Sequence, residues 1–165
     1  QAAVASRKYL VQACSPITGM SAEYAEFDGS PMSRKLGWSN DRHDWFYSDS
    51  YRTAANIGLD YEWFGIDEGQ CTAVDRLQEF LLEDARRNQF HTYEINGTVA
   101  QSDVLHPVAI IATVAQGSLA ANNPFMNEWI ERFWNTPMRT GVRRYYDNCL
   151  YFFAFLALSG KYRIW

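Results

Sequence analysis

The sequence has few cysteines and no block of positive charge. Its three cysteines, Cys14, Cys71 and Cys149, are far apart in the chain and form no C-x-x-C pair, which argues against a zinc site. Their odd number excludes a complete disulfide framework. Lys and Arg total 15 against 19 Asp and Glu, for a net charge of −4, and the basic residues do not run together. We therefore expect no nucleic-acid partner and no binding to an anionic membrane surface.

Long apolar runs are also missing. The run LYFFAFLAL, residues 150–158, is too short to span a bilayer and is typical of a buried helix. The first residues lack the pattern of a secretory signal peptide. They read QAAVASRKYLVQAC, which resembles the middle of an amphipathic helix. We therefore expect a further segment in front of this chain.

What the chain does have is material for a core. Its 165 residues are enough for one domain, and 47% of them are hydrophobic, which is typical of a globular protein. Aromatic residues make up 16% of the chain and include six Trp and ten Tyr. Flat amphipathic rings suit the faces of sugars, although we expect about two-thirds of them to fill the core.

The spacing of apolar residues predicts six helices and one hairpin. The hairpin is centred on Asn96-Gly97, the dipeptide that favours a tight two-residue turn, and nothing else predicts a sheet. The irregular stretch 20–45 predicts a long loop. The helices are expected at residues 2–14, about 50–64, about 71–87, 107–121, from Pro124 onwards, and about 144–158.

Three of these helices, in the segments 48–65, 106–120 and 144–158, are more apolar than the others. An inner layer of apolar helices and an outer layer of amphipathic ones is what an α/α barrel needs, and six helices supply half of a twelve-helix barrel. No internal repeat suggests a solenoid. We predict an all-α fold in which residues 1–165 form half of one (α/α)6 barrel domain.

The segment FYSDSYRTAANIGLDYEWFG, residues 46–65, places Asp49 and Arg52 three residues apart at the start of a helix. By spacing alone, the two side chains are best explained as a cap and a surface ion pair, together contributing about 0.5–1 kcal/mol. Ser48 or Asp49 would then cap the first turn. The alternative is that the carboxylate belongs to a catalytic site.

Three segments in this order resemble glycoside hydrolase family 8: ITGMSAEYAEFDGSP, FYSDSYRTAANIGLDYEWFG and RRYYDNCLYFFAFLALSGKYRIW. The resemblance is greatest to its reducing-end xylose-releasing exo-oligoxylanases. It implies an inverting hydrolase of β-1,4-linked xylo-oligosaccharides that uses no cofactor. Asp49 corresponds to the general base, and Arg52 to an arginine that holds the geometry around it. A bidentate guanidinium contact would favour the ionised carboxylate. Ser48 stands where some cellulase-type members have Tyr, which argues against the endoglucanase subgroup.

The resemblance also assigns substrate-binding residues. Leu105-His106-Pro107 resembles a loop that closes the cleft, and His106 would bind the hydroxyl at the reducing end; the alternative is an ordinary helix start. Tyr145, Tyr146 and Trp38 would stack on sugars, although core packing is as good an explanation for one of the tyrosines. The loop 40–44 groups possible metal ligands, but no further partner is evident, so we expect a solvated loop without metal.

The general acid of this family is a Glu in the N-terminal half. Glu23, Glu26, Glu62 and Glu68 lie downstream of its position, so we expect the N-terminal half, as a separate chain or a missing segment, to be the partner that supplies it. Alone, the chain should be inactive. The alternatives are an endo-acting xylanase, glucanase or chitosanase, and a non-catalytic carbohydrate-binding or interaction module. We expect a cytoplasmic location, with the periplasm or secretion as alternatives.

Overall fold

The computed structural model describes residues 1–33, 43–65 and 68–164. The predicted helices and the hairpin at Asn96-Gly97 are confirmed, with small shifts at their ends. In chain order the elements are α1 (Ala2–Ala13), β1 (Trp45–Phe46), a 3-10 turn (Ser48–Tyr51), α2 (Arg52–Phe64), α3 (Glu68–Arg87), β2 (Thr92–Glu94), β3 (Val99–Gln101), α4 (Pro107–Gly117), α5 (Met126–Asn135) and α6 (Arg144–Leu158).

The sheet is larger than the sequence predicts. β1 pairs antiparallel with β2, placing Trp45 opposite Glu94 and Phe46 opposite Tyr93, so the hairpin gains a third strand. The prediction that nothing but the hairpin is sheet is therefore wrong. A strand of two residues is too short to show the alternation by which strands are detected in a sequence. Its pairing partner is also distant in the chain.

The predicted cap of α2 is wrong as well. Neither Ser48 nor Asp49 caps this helix through its side chain, because a 3-10 turn precedes it and Tyr51 occupies the N-cap position. The turn is closed by the main-chain N–H of Tyr47, which donates to Ser50 Oγ at 2.8 Å. The Asp49 carboxylate therefore does not cap α2.

Helices α2, α4 and α6 pack side by side with α4 in the middle, as the predicted inner layer requires. All nine residues from 109 to 117 are buried. Small residues permit the close approach of α2 and α4: a Cβ atom added to Gly58 would lie 2.4 Å from the main-chain oxygen of Gln116. This packing fixes the inner helices, and with them the segments that lead into α2 and α4.

The amphipathic helices α3 and α5 cover one side of this layer. The buried face of α3 includes Leu77 and Leu81, and α5 buries Trp129 and Phe133. The indole N–H of Trp129 donates to the main-chain oxygen of Gln78 at 3.1 Å. Among the described residues, no helix has the length and hydrophobicity that crossing a membrane requires.

Helix α6 is apolar on two sides. Its buried residues, Asp147, Leu150, Ala154 and Ala157, recur every three or four positions and face the core. Phe152 lies opposite these residues, with Phe153 and Phe155 on either flank of the helix, and the three rings are 56%, 42% and 43% exposed. An inner helix of half a barrel has this distribution, because its second side would face the other half.

Candidate active site

Asp49 lies in the 3-10 turn that leads into α2, directly after a residue with an unusual backbone. Ser48 has a φ of 41°, in the left-handed region that residues with a Cβ rarely adopt. Such a conformation costs on the order of 1–3 kcal/mol and persists only where neighbouring contacts hold it. The structure thus places backbone strain next to the predicted catalytic carboxylate.

Asp49 and Arg52 form the predicted pair, although the contact is not bidentate. Arg52 Nη2 lies 3.0 Å from Asp49 Oδ2, while Arg52 Nε donates to the main-chain oxygen of Asp49 at 3.3 Å. The Arg52 side chain is 49% exposed and the Asp49 side chain 42%, so this ion pair adds little to the stability of the fold. A carboxylate that is ion-paired on one oxygen and reachable by water is suited to act as a base.

Tyr146, predicted as a sugar-stacking residue, connects Asp49 to His106. Its hydroxyl donates to the main-chain oxygen of Ser48 at 2.8 Å and lies 3.5 Å from Asp49 Oδ1. Its ring lies 4.5 Å from the His106 ring, centroid to centroid. Burial, and then the nearby Asp49 carboxylate, raises the pKa of the Tyr146 phenol well above its ordinary value. The phenol therefore stays protonated and remains a donor.

His106 occupies the N-cap position of α4, before Pro107 in the first turn, and is buried. Its Nδ1 lies 2.8 Å from Oδ2 of Asp147, which is fully buried on α6. Asp147 also accepts the main-chain N–H of Ala109 at 2.9 Å and Arg139 Nη1 at 2.6 Å. The Arg139 guanidinium further donates to the main-chain oxygen of Leu105. The Leu-His-Pro segment is thus held at both its side chain and its backbone.

Sequence reasoning missed Asp147 and Arg139. A signal for Asp147 was present, since it is the one acidic residue of α6 and is three positions before Leu150 on the apolar side of that helix. A charge at a core-facing helical position has to have partners. Arg139 stands in an irregular segment before α6, where no spacing rule points to its contacts.

Of the other predicted site residues, only Tyr145 lies in the described part of the chain, and it is not part of this cluster. Tyr145 is 82% exposed at the start of α6, and Trp38 lies outside the described residues. Of the possible metal-ligand loop, residues 40–42 also lie outside them, while His43 Nδ1 lies 2.6 Å from Glu23 Oε2. Within residues 1–33, 43–65 and 68–164, no three His, Cys, Asp or Glu side chains converge as metal ligands would.

The chain has close relatives among characterised enzymes. It is 53% identical over 170 aligned residues to a reducing end xylose-releasing exo-oligoxylanase of Bifidobacterium adolescentis, covering 99% of this chain and 43% of the relative. It is 50% identical over 165 residues to the reducing-end xylose-releasing exo-oligoxylanase Rex8A of Paenibacillus barcinonensis, covering 100% of this chain and 42% of the relative. The chain therefore spans less than half the length of these relatives. No family model matches it.

Solved structures of Rex8A have the same fold. The Rex8A structure complexed with xylose matches 99% of this chain and 42% of that one, with a TM-score of 0.92 and 49% identity. A Rex8A variant in which consecutive leucine and histidine residues are replaced by alanine and serine matches with the same TM-score of 0.92 and 48% identity. The helical half-barrel prediction is thereby confirmed. By sequence and by fold, the chain corresponds over its whole length to the C-terminal part of the reducing-end xylose-releasing exo-oligoxylanases of glycoside hydrolase family 8.

Proposed function

We propose that the complete protein is an inverting glycoside hydrolase that releases xylose from the reducing end of β-1,4-linked xylo-oligosaccharides. The observation that carries this proposal is the cluster in which Tyr146 contacts both Asp49 and His106. The side chain of Tyr146 thus contacts both the Asp49 carboxylate, which would act in hydrolysis, and the His106 imidazole, which would recognise the end of the sugar chain. The names of the relatives favour exo-action over the endo-acting and non-catalytic alternatives.

In this proposal Asp49 is the general base. An inverting glycosidase needs an ionised carboxylate that takes a proton from the water attacking the anomeric carbon, and a second carboxyl group about 6.5–9.5 Å away that protonates the leaving oxygen. Arg52 Nη2, 3.0 Å from Asp49 Oδ2, holds one oxygen of this carboxylate in place. The second group comes from the N-terminal half of the barrel, which would also cover the aromatic side of α6. We place the protein in the cytoplasm, on the resemblance alone.

His106 would set the specificity for a chain end. Cleavage of one unit from the reducing end requires a wall behind that unit, and Leu105-His106-Pro107 is held rigidly enough by Arg139 and Asp147 to be one. The imidazole would bind the anomeric hydroxyl, a group present only at a free reducing end. A buried site that spends a polar group on this hydroxyl rejects substrates that lack it. A solved Rex8A variant carries replacements at a consecutive leucine and histidine, the same residue types as Leu105 and His106.

The general base is tested by Asp49→Asn in the complete protein. The amide cannot take up the proton, so xylotriose hydrolysis should fall by about 10²–10⁴-fold, with an unchanged circular dichroism spectrum. Asp60→Asn is the matched control, because Asp60 on α2 also pairs with an arginine: Nε of Arg7, on α1, lies 2.6 Å from Asp60 Oδ2. That variant should keep its turnover. Unchanged hydrolysis by Asp49→Asn would rule out the assigned role.

A further inference from the structure

Asp147 is a buried acid that no sequence motif singled out. Its side chain has no exposed surface, and it makes three hydrogen bonds, with His106 Nδ1, Arg139 Nη1 and the Ala109 main-chain N–H, at 2.8, 2.6 and 2.9 Å. Two of these bonds share Oδ2, and the third ends on Oδ1. The carboxyl group therefore holds the ring of His106, the first turn of α4 and Arg139 at one point.

The chemistry of these partners fixes the direction of the bond to His106. A main-chain N–H and a guanidinium can only donate, so the carboxyl group of Asp147 acts as an acceptor towards both. A carboxylate beside an arginine is also an acceptor towards the imidazole, which means that Nδ1 carries the proton. In a neutral ring Nε2 is then unprotonated. It is left as the ring nitrogen that can accept a hydrogen bond from a ligand.

We infer that Asp147 is a positioning residue that fixes the tautomer of His106, so that Nε2 accepts the hydrogen of the anomeric hydroxyl at the reducing end. Asp147 acts through His106 and does not contact the sugar. The inference rests on the proposed function, since it concerns how the chain end is recognised. It resembles the way in which carboxylates orient histidines in metal sites, where the partner of one ring nitrogen decides the state of the other.

An Nε2 atom that accepts a hydrogen bond needs a hydroxyl hydrogen at the anomeric position of the ligand. Free xylotriose has this hydrogen and methyl β-xylotrioside lacks it. In Asp147→Asn the side-chain amide can donate to Nδ1, which shifts the proton to Nε2. A protonated Nε2 can donate to the anomeric oxygen of either compound. The preference for the free sugar over the methyl glycoside should therefore shrink about tenfold or more.

The tautomer is tested first, in the complete wild-type protein labelled with ¹⁵N-histidine. The His106 resonances are assigned by their loss in His106→Gln. We expect Nδ1 at the shift of a protonated nitrogen and Nε2 at that of an unprotonated one at neutral pH. A ring protonated on Nε2 alone, or on both nitrogens, would overturn the inference. This measurement needs no activity and no variant of Asp147.

The kinetic test compares kcat/KM for xylotriose and methyl β-xylotrioside in wild type, Asp147→Asn and Asp75→Asn. Asp75 is the matched control, because Oδ1 accepts the main-chain N–H of Asn122 at 2.8 Å, far from this cluster. We expect the preference to shrink in Asp147→Asn alone. An unchanged preference in a folded Asp147→Asn protein sinks the inference and leaves the proposed function standing. A wild type that cleaves both compounds equally instead contradicts the proposed role of His106.

Discussion

Ser48 and Tyr146 together determine how Asp49 is presented. The φ of 41° at Ser48 is unfavourable for a residue with a Cβ, and the hydrogen bond from Tyr146, 2.8 Å long, ends on the carbonyl of that same residue. Contacts of this kind are what keep a left-handed residue in place. A shift of about 1 Å in a reacting group can cost roughly 10²-fold in rate. Tyr146 thus influences the carboxylate through the backbone.

The variant Tyr146→Phe distinguishes the role of the hydroxyl from the role of the ring. The variant keeps the ring that packs on His106 but loses the donor to Ser48, so kcat for xylotriose should fall by about 10–100-fold. The free energy of unfolding should fall by about 1 kcal/mol. Both are measured on the complete protein, by initial rates and by denaturant titration.

Tyr145→Phe is the matched control for this change. Tyr145 is the preceding residue and is 82% exposed, so removing its hydroxyl should leave stability unchanged. Comparing Tyr145→Phe with Tyr146→Phe also distinguishes two roles of the Tyr146 hydroxyl. Equal losses of kcat in both variants would mean that the hydroxyl acts by contacting the sugar, and the proposed influence on Ser48 would be wrong.

At the level of elements, the contact between α2 and α4 sets the distance between Asp49 and His106. Asp49 lies in the 3-10 turn that leads directly into α2, and His106 immediately precedes α4. The two helices approach most closely at Gly58, where an added Cβ would lie 2.4 Å from the main-chain oxygen of Gln116. A Cβ added to Gly117 would lie 3.5 Å from the main-chain oxygen of Ala54 on α2 and 3.1 Å from Val74 Cγ1 on α3. The glycines are required for space rather than for turns, since both are helical.

Gly58→Ala should destabilise the protein by about 1–3 kcal/mol, because a methyl group cannot rotate away from a backbone oxygen and the helices must separate. In Gly117→Ala the nearest atom is Val74 Cγ1 at 3.1 Å, a contact that a shift of a few tenths of an ångström relieves. There the gain in helix propensity, up to about 1 kcal/mol, offsets much of the clash. Thermal denaturation of both variants measures the difference. Equal stability of Gly58→Ala and wild type would show that the helices tolerate a wider separation.

At the scale of the whole molecule, the second apolar side of α6 is the feature that calls for a partner. Phe152, Phe153 and Phe155 are about half exposed on a helix whose other side is in the core. Exposed aromatic clusters of this kind are uncommon on proteins that have no partner surface. The chain also covers only 42% of the length of its relative Rex8A. Both observations agree with the proposal that another half of the barrel covers this side.

This proposal predicts a large effect of Phe153→Ser in the complete protein. If the ring is buried against the other half, the substitution should lower the free energy of unfolding by about 3 kcal/mol. Phe27→Ser is the comparison, because Phe27 is 102% exposed in a loop away from α6 and its loss should cost little if that loop stays uncovered in the complete protein. Chemical denaturation of both variants provides the comparison. A cost for Phe153→Ser as small as that of Phe27→Ser would contradict burial of this side of α6.

The sequence by itself determined the helices, the hairpin and the Asp49–Arg52 pair, but not the third strand of the sheet. The helices follow from apolar residues three and four positions apart, the hairpin from Asn96-Gly97, and the Asp49–Arg52 pair from a spacing of three residues on one helical turn. All of these are local patterns, in which neighbours in the chain are neighbours in space. The resemblance to family 8 rests on such segments in their order.

Only the tertiary structure decided what these residues contact. Tyr146 reaches Ser48 across 98 positions of the chain, and Asp147 reaches His106 across 41. No periodicity records contacts at such separations, since they depend on how α6 lies against α4 and the turn before α2. The same packing brings the Tyr146 hydroxyl to the main-chain oxygen of Ser48, buries Asp147 beside Arg139 and leaves Tyr145 at the surface. Local spacing sets which side of a helix a residue occupies, but the packing of helices decides which distant group it meets there.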